Sequence, residues 1–429
     1  MKRSRIVLLL CVLVAAAAIM TRNDILYNLW YLLMALLILS FLWAWVGVRW
    51  IRVERQTRTT RSQVGKWLEE RLIVENTGIL AKVWLEVRDH STLPDHQISR
   101  VISPLGGKKS YAKTIRTRCL QRGRFVLGPI TLTSGDPFGL FRMSRKLEEP
   151  PQAAFIVLPA TVDVPTFAPL IGFLPGGDTM RRRTSFVTTN VSGVREYAPG
   201  DSFNRIHWPS TARTGRLISK EFELDPTADI WLFLDLERDV QLEAPSPATE
   251  SPIKPMPWEP KRPLTLLPST VEYGVTIVAS LAKHFIAHDR AVGFVAYAPH
   301  REVIPADRGE RQLTKILETL AVIRADGEIP LSEIIAAEAT QLRRNTTAII
   351  VTPTDQNFWV AARHVIERGV RVVTVLIERQ SFGHPRSNEE LVNQLAMSGM
   401  ATYLVREGDD LAEALAIPHA QAILPVGRW

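Results

Sequence analysis

The chain has 429 residues, 46% hydrophobic and 22% charged, which is enough apolar mass for two or three domains and too much for wholesale disorder. Two cysteines, Cys11 and Cys119, exclude a disulfide framework and a four-cysteine zinc module. The formal charge of +8 suggests nucleic acid until it is mapped. Residues 1–62 hold nine basic and two acidic residues, so nearly all of the excess is N-terminal and the remainder is close to neutral.

That N-terminus reads as membrane. Ile6 to Met20 is an apolar run of about 22 Å as helix, and Ile25 to Val48 is a second, of about 36 Å and long enough to span with tilt. Only Thr21-Arg22-Asn23-Asp24 separates them, as in a helical hairpin. The first run, behind Lys2-Arg3-Ser4-Arg5, also resembles a signal peptide, but a second apolar run follows at once with no convincing cleavage site. Trp30, Tyr31, Trp43, Trp45 and Trp50 lie toward the ends of the second run, as interfacial anchors do. Basic residues precede the first run, and Arg49, Arg52, Arg55, Arg58 and Arg61 follow the second, against Arg22 alone in the turn. This bias predicts that both termini face the cytoplasm, and the arginine flank would also suit anionic headgroups.

From residue 52 to about 165 the pattern changes to short alternating segments. Leu72-Ile73-Val74, Val83 to Val87 and Phe125-Val126-Leu127 read as strands, punctuated by Asn76-Thr77-Gly78, Pro104 to Gly107 and Gly135-Asp136-Pro137. A small β-sandwich-like domain is the expected class. Gly106-Gly107-Lys108-Lys109-Ser110 superficially resembles a phosphate loop, but the earlier glycine is missing and Lys109 stands where a magnesium-binding hydroxyl belongs.

Beyond Asp229 strands and helices alternate. Strands are expected at 229–235, 291–298, 346–351, 371–377 and 402–405, with helices near 271–288, 310–323, 331–342, 358–367 and 388–397. Such alternation argues for a mostly parallel sheet covered on both faces, with ligands outside the carboxyl ends of its strands. Asp235 and the Thr352-Pro353-Thr354-Asp355 segment stand at two such ends. The stretch 241–268 interrupts the scheme with eight of the chain's 28 prolines, giving a stiff extended loop, either a solvated insertion or a lid or partner-binding segment.

The most distinctive segment, 166–228, joins the two folded regions. It contains Gly193-Val194-Arg195-Glu196-Tyr197-Ala198-Pro199-Gly200-Asp201, then Arg205-Ile206-His207-Trp208, Ala212-Arg213 and Lys220-Glu221-Phe222-Glu223. With Arg122-Gly123-Arg124-Phe125, Leu127-Gly128-Pro129 and Asp136-Pro137-Phe138-Gly139-Leu140 upstream, this resembles the bacterial domain-of-unknown-function 58 family over nearly the whole chain. The resemblance implies a transmembrane hairpin (1–51), the β-sandwich-like domain (52–165), the family motif segment and a C-terminal α/β von Willebrand factor type A-like domain (229–429). It also implies a place in the bacterial inner membrane and a MoxR-type AAA+ ATPase as protein partner.

Read physically, Pro199-Gly200 is a turn that gathers Arg195, Arg205 and Arg213 around Glu196 and Asp201. Asp201 is expected to be buried and to accept bonds from at least one of these arginines, as part of an ion-pair network. A recognition surface for a partner is the functional alternative. Arg181-Arg182-Arg183 has no interleaved aromatics, so it argues for solvent and not for nucleic acid.

Type A domains, by the same resemblance, carry a metal-ion-dependent adhesion site whose first loop reads Asp-x-Ser-x-Ser. Here that loop is Asp235-Leu236-Glu237-Arg238-Asp239, with Asp355 as the candidate second aspartate and the threonine not placed. Hard oxygen ligands suit Mg²⁺, Mn²⁺ or Ca²⁺, but Glu237 and Asp239 replace both serines, so a metal-free relic is the favoured reading. His284 and His288, one helical turn apart, lack a third ligand. No serine sits in a nucleophile elbow and no cysteine has a catalytic setting, so no catalytic residue is assigned. The expectation is a non-enzymatic membrane-anchored scaffold that binds a protein partner, without a cofactor. The rival is a divalent-metal-dependent hydrolase using Asp235, Glu237, Asp239 and Asp355.

Overall fold

The structure, a computed structural model, describes residues 2–96, 98–147, 153–167, 191–197, 206–222, 229–243, 266–344, 346–354, 358–398 and 400–419. The chain divides into two compact units, one of residues 1–160 with 317–322 and one of 161–316 with 323–429.

The first unit begins with helices α1 (Lys2–Thr21) and α2 (Asp24–Gly47), both long and apolar enough to cross a membrane by length and composition. Asn23 caps α2 by accepting the Ile25 N–H at 3.0 Å, so the polar turn ends one helix and starts the next. The two helices pack along each other through a cluster that contains Val7, Cys11, Leu33, Leu36 and Leu37.

Ten strands follow: β1 (Ile51–Thr57), β2 (Arg61–Gln63), β3 (Trp67–Asn76), β4 (Leu85–Asp89), β5 (Arg100–Ile102), β6 (Ser110–Arg118), β7 (Gly123–Leu127), β8 (Ile130–Gly135), β9 (Arg142–Lys146) and β10 (Ala153–Leu158). They form sheets ordered β1-β3-β6, β5-β4-β8-β9 and β2-β10-β7, antiparallel except for β2 beside β10. The first two share a core. Ile51, Val53, Leu72 and Val74 of one meet Leu85, Val87, Ile130 and Leu132 of the other. Each such buried side chain contributes roughly 1.5–3 kcal/mol of hydrophobic stabilisation, and the period-2 pattern of β3 and β4 is what presents them.

The same alternation corrects one reading of the arginine flank. In β1 the buried face is Ile51, Val53 and then Arg55, whose side chain is buried, while Arg52 is exposed. Arg55 is therefore an interior cation and not part of a headgroup-facing series. It pairs with Glu70 and, at 2.8 Å, with Asp89, and His96 Nε2 lies 3.1 Å from Glu70 Oε2.

The second unit opens with a hairpin of β11 (Val191–Glu196) and β12 (Ile218–Phe222), with α3 (Trp208–Thr214) between them. Beyond it in the chain lie β13 (Ile230–Leu234), α4 (Thr270–Ala287), β14 (Val292–Tyr297), β15 (Arg301–Asp307), α5 (Glu310–Val322, of which 317–322 group with the first unit), α6 (Leu331–Glu338), β16 (Thr347–Thr352), α7 (Trp359–Glu367), β17 (Arg371–Ile377), α8 (Glu389–Met397), β18 (Ala401–Val405) and α9 (Leu411–Ala414). The sheet order is β15-β14-β13-β16-β17-β18, parallel apart from β15. β13, β14 and β16 are buried along their whole lengths, as strands covered on both faces must be. One face is closed by α4, whose Gly274 backs onto Leu234 and Val351. The other is closed by α6, α7 and α8, which bring Leu331, Ile335, Ala362, Leu391 and Leu395 to Phe233, Val295 and Ile350. Sequence periodicity did not indicate β15. Its residues are exposed or half-buried, and Pro305 removes a ladder donor, which an antiparallel edge strand tolerates.

Candidate functional site

In the six-stranded sheet the chain runs from β13 outward to β14 on one side and later returns to β16 on the other. The crevice between the carboxyl ends of β13 and β16 is thus the point where the strand order reverses, the usual ligand position in open α/β sheets. Asp235 follows β13 directly and Thr352 ends β16. The ladder sets them side by side, Leu234 opposite Val351, and the Asp235 N–H donates to the Val351 carbonyl at 3.0 Å.

The Asp235 carboxylate is only 1% exposed and both of its oxygens are engaged. Oδ2 accepts the Thr352 hydroxyl at 2.6 Å and Oδ1 accepts the Glu237 N–H at 3.1 Å. Thr352 Oγ1 in turn accepts the Thr354 N–H at 2.9 Å. Burial pushes the Asp235 carboxyl up to about 6, against the two hydrogen bonds, which favour the charged form; the neighbouring Glu237 adds to the rise. The Glu237 carboxyl is also raised, by burial first and then by the charge of Asp239.

Two further side chains lock the loop. Gln241 Nε2 donates to the Asp235 carbonyl at 2.8 Å, and the Thr270 hydroxyl donates to Gln241 Oε1 at 2.7 Å. Leu242 N–H donates to Thr270 Oγ1 at 2.9 Å, and Thr270 N–H returns a bond to the Leu242 carbonyl at 3.0 Å. The base of the Pro-rich insertion is therefore closed over the Asp235 loop; residues 244–265 of that insertion lie outside the described residues. Gly327 completes the cover. It bonds Leu236 and Arg238 through its backbone, and a Cβ there would stand 2.4 Å from the Tyr297 carbonyl oxygen.

The sequence-designated metal residues are only partly brought together. Asp235 and Glu237 are buried neighbours, but Asp239 is exposed on the turn Arg238–Val240, and Asp355 lies outside the described residues. Among the described residues no group of three or more His, Cys, Asp or Glu side chains is placed to hold a metal ion. Each Asp235 oxygen accepts one bond from within the site, and among the described residues only Glu237 of the other candidate ligands is buried beside it. His284 and His288 have ring centroids 4.5 Å apart, and His288 Nδ1 lies 2.8 Å from the His284 carbonyl, an arrangement that finishes α4.

Of the motif residues, Arg195 lies in β11 and the Tyr197 N–H donates to the Leu217 carbonyl at 2.8 Å. Gly200, Asp201 and Arg205 lie outside the described residues, as does Arg181-Arg182-Arg183, so the expected burial of Asp201 is not addressed. Trp208 and Arg213 lie on α3 and are exposed, Trp208 at 64%. His207 caps this helix, its Nδ1 accepting the Ser210 N–H at 3.3 Å, and Gly215 at φ 66° ends it. Glu196 pairs with Arg216 at 3.0 Å, a residue that the sequence analysis did not include.

Sequence reasoning put Thr352 at a strand end like Asp235 without pairing the two, and it missed Gln241 and Thr270 as partners of the Asp235 loop. Gln241 and Thr270 carried no signal, because the insertion separates them.

Residues 193–244 match the family described as "Protein of unknown function DUF58", a stretch that holds most of the motif hairpin and the Asp235 loop. The chain is also 20% identical over 312 residues to the uncharacterized protein YeaD of Bacillus subtilis (strain 168), covering 70% of this chain and 67% of that one. Both matches support the DUF58 family. Among solved structures, the CARDB domain of the PF1109 protein from Pyrococcus furiosus is similar at 21% identity and a TM-score of 0.19, over 25% of this chain and 91% of that one. Pseudomonas fluorescens alkylpurine DNA glycosylase AlkC is similar at 12% identity and a TM-score of 0.17, over 25% of this chain and 30% of that one.

Proposed function

We propose that the chain is a non-enzymatic, membrane-anchored scaffold of the bacterial inner membrane that presents a type A-like α/β unit to a protein partner in the cytoplasm. The two apolar helices with their basic flanks support the anchor and its orientation. Two sheets sharing one core support a β-sandwich-like membrane-proximal unit. Five parallel strands with one antiparallel edge strand, in the order β15-β14-β13-β16-β17-β18, support the type A-like reading. The Asp235 loop acts as an internal lock at the switch point, since its carboxylate accepts the Thr352 hydroxyl and the Glu237 N–H.

The observation that carries the partner reading is the exposure of Trp208 and Arg213 on α3, inside the motif segment. Trp and Arg are the residue types enriched at interface hot spots, and α3 has no buried residue. A MoxR-type AAA+ ATPase is the partner implied by the family resemblance. The test is co-purification of that ATPase from native membranes with the unsubstituted chain and with Trp208→Ala and Arg213→Ala. Both variants are expected to lose the ATPase while unfolding at an unchanged temperature, because surface substitutions usually stay within about ±0.5 kcal/mol. Retained capture in both variants would overturn the assignment of this surface.

A further inference from the structure

The turn that joins β8 to β9, Asp136-Pro137-Phe138-Gly139-Leu140-Phe141, satisfies much of its own backbone. Asp136 Oδ2 accepts the Phe138 N–H at 3.0 Å and Oδ1 accepts the Phe141 N–H at 2.6 Å. Gly139 N–H donates to the Asp136 carbonyl at 3.2 Å, Asp136 N–H donates to the Phe141 carbonyl at 3.3 Å, and Pro137 has no N–H to satisfy. The Asp136 residue that organises all this is 2% exposed. Four of its backbone N–H groups are met within the turn, which lowers the cost of bringing irregular backbone toward lipid.

Its side chains are apolar and they meet the helical pair. Leu140 is buried in one cluster with Cys11 of α1 and Leu37 of α2, and Phe141 stands edge-on to Phe41 at 5.7 Å. Phe138, at the tip, is 60% exposed. A lone exposed phenylalanine is ordinary on a soluble surface, but this one tips a turn seated on two lipid-class helices.

The helix gives the depth. Leu37, Ser40, Ala44 and Gly47 form the buried stripe of α2, and α2 packs against β8 and β9. The small residues let the strands come close: a Cβ on Gly47 would lie 2.7 Å from Ser134 Oγ. Lys82 Nζ fixes the helix end by donating to the Val46 carbonyl at 2.6 Å. The hairpin therefore runs along the last turns of α2, from Gly47 to Leu37, about 15 Å at 1.5 Å per residue.

Polar markers place the bilayer surface above its tip. Arg142, next after Phe141, is exposed and pairs with Glu86, and Trp43 and Trp45 occupy the turn of α2 beyond Phe41. Leu37 is one helical turn, about 6 Å, deeper than Phe41, and Cys11 is about 9 Å beyond Arg5 of α1. A tip one helical turn below the level of Phe41 and Arg142 falls in the ~5–10 Å at which interfacial apolar elements lie.

We propose that the Asp136–Phe141 turn inserts into the cytoplasmic leaflet beside the helical pair, with Phe138 among the acyl chains. This holds the β unit to the lipid as well as to the helices. The inference rests on α1 and α2 being membrane spans, and the test separates the two. The full chain is reconstituted into phosphatidylethanolamine–phosphatidylglycerol vesicles with a nitroxide at Phe138→Cys, at Ile38→Cys on the exposed face of α2, or at Arg116→Cys on exposed β6. Cys11 and Cys119 are buried, so the unsubstituted chain is the labelling blank.

Collision with oxygen and with a water-soluble nickel chelate is then measured at each position. The expected result is an oxygen-to-nickel accessibility ratio at 138 that matches position 38 and exceeds position 116 several-fold. A ratio at 138 equal to that at 116, with 38 still in lipid, would overturn the insertion and leave the spans standing. Water-like ratios at both 38 and 138 would overturn the spans and the insertion with them.

Discussion

Replacing Asp235 by asparagine should make the protein more stable at neutral and alkaline pH, although it alters the most enclosed carboxylate of the candidate site. The carboxyl is raised from 3.8 to about 6 by burial. Between those values the folded chain binds a proton that the unfolded chain has lost, so stability falls as pH rises from 3.8 to about 6 and the full cost persists above it. A rise of about two pH units corresponds to about 3 kcal/mol, at 1.36 kcal/mol per unit. Asparagine keeps an oxygen for the Glu237 N–H, and its amide can donate to Thr352 Oγ1, which already accepts from Thr354. The Thr352 hydroxyl proton then loses its acceptor, at a cost of about 1 kcal/mol. The net gain for Asp235→Asn near pH 8 is therefore about 2 kcal/mol, turning into a loss of about 1 kcal/mol near pH 4. Urea unfolding of the intact chain in a non-ionic detergent, followed by hydrogen exchange of peptides spanning 347–352, reads this locally. Equal destabilisation at both pH values would refute the reasoning, because it would mean that the ionised carboxylate is itself a favourable element of the folded site.

The physical reason why some of this was legible in the sequence lies in pattern. Buried parallel strands such as Ile230–Leu234 and Arg371–Ile377 are apolar runs of strand length, and α4 and α5 announce themselves by helical periodicity between them. Asp235 and the threonine-rich end of β16 could be placed at strand ends because the carboxyl end of a buried strand is where its apolar run stops. Pairings across long sequence separations left no such trace. Nothing local tells that Gln241 reaches back to Asp235 across the first strand's end, or that Arg55 turns inward to meet Glu70 and Asp89. Arg55 was hidden by its setting in a regular series of arginines, where helical or topogenic spacing masks the period of two that β1 imposes. The Asp136 turn was read only as punctuation, since a Gly-Asp-Pro signal reports a change of direction and says nothing of what the loop packs against.

Added Mg²⁺, Mn²⁺ or Ca²⁺ should leave the melting temperature of the detergent-solubilised chain unchanged, because only a ligand that binds the folded state raises stability; a micromolar stoichiometric isotherm lost in Asp235→Ala would refute this. A reporter fused after Trp429 should behave as cytoplasmic, and modification of Asn190-Val191-Ser192 or Asn345-Thr346-Thr347 in a glycosylating host would reverse the assigned orientation. The last expectation concerns the buried charges of the β unit. The side chains of Arg55, Glu70, Asp89 and His96 are at most 3% exposed, with two carboxylates facing one guanidinium and an imidazole. Arg55 Nη2 makes an aligned bond to Asp89, whereas the Arg55 Nε–Glu70 and His96–Glu70 contacts are close without hydrogen-bond alignment. Arg55→Met strands both carboxylates in the core and should cost about 3–5 kcal/mol, read as a marked fall in melting temperature. Adding Glu70→Leu removes one of the stranded charges, so the double variant should regain a substantial part of that loss, giving a coupling on the order of 1–3 kcal/mol in the cycle. If Arg55→Met shifted stability by no more than about 0.5 kcal/mol, as a surface arginine would, the cluster would have to be open to water, and the inward turn of β1 that buries it would be wrong.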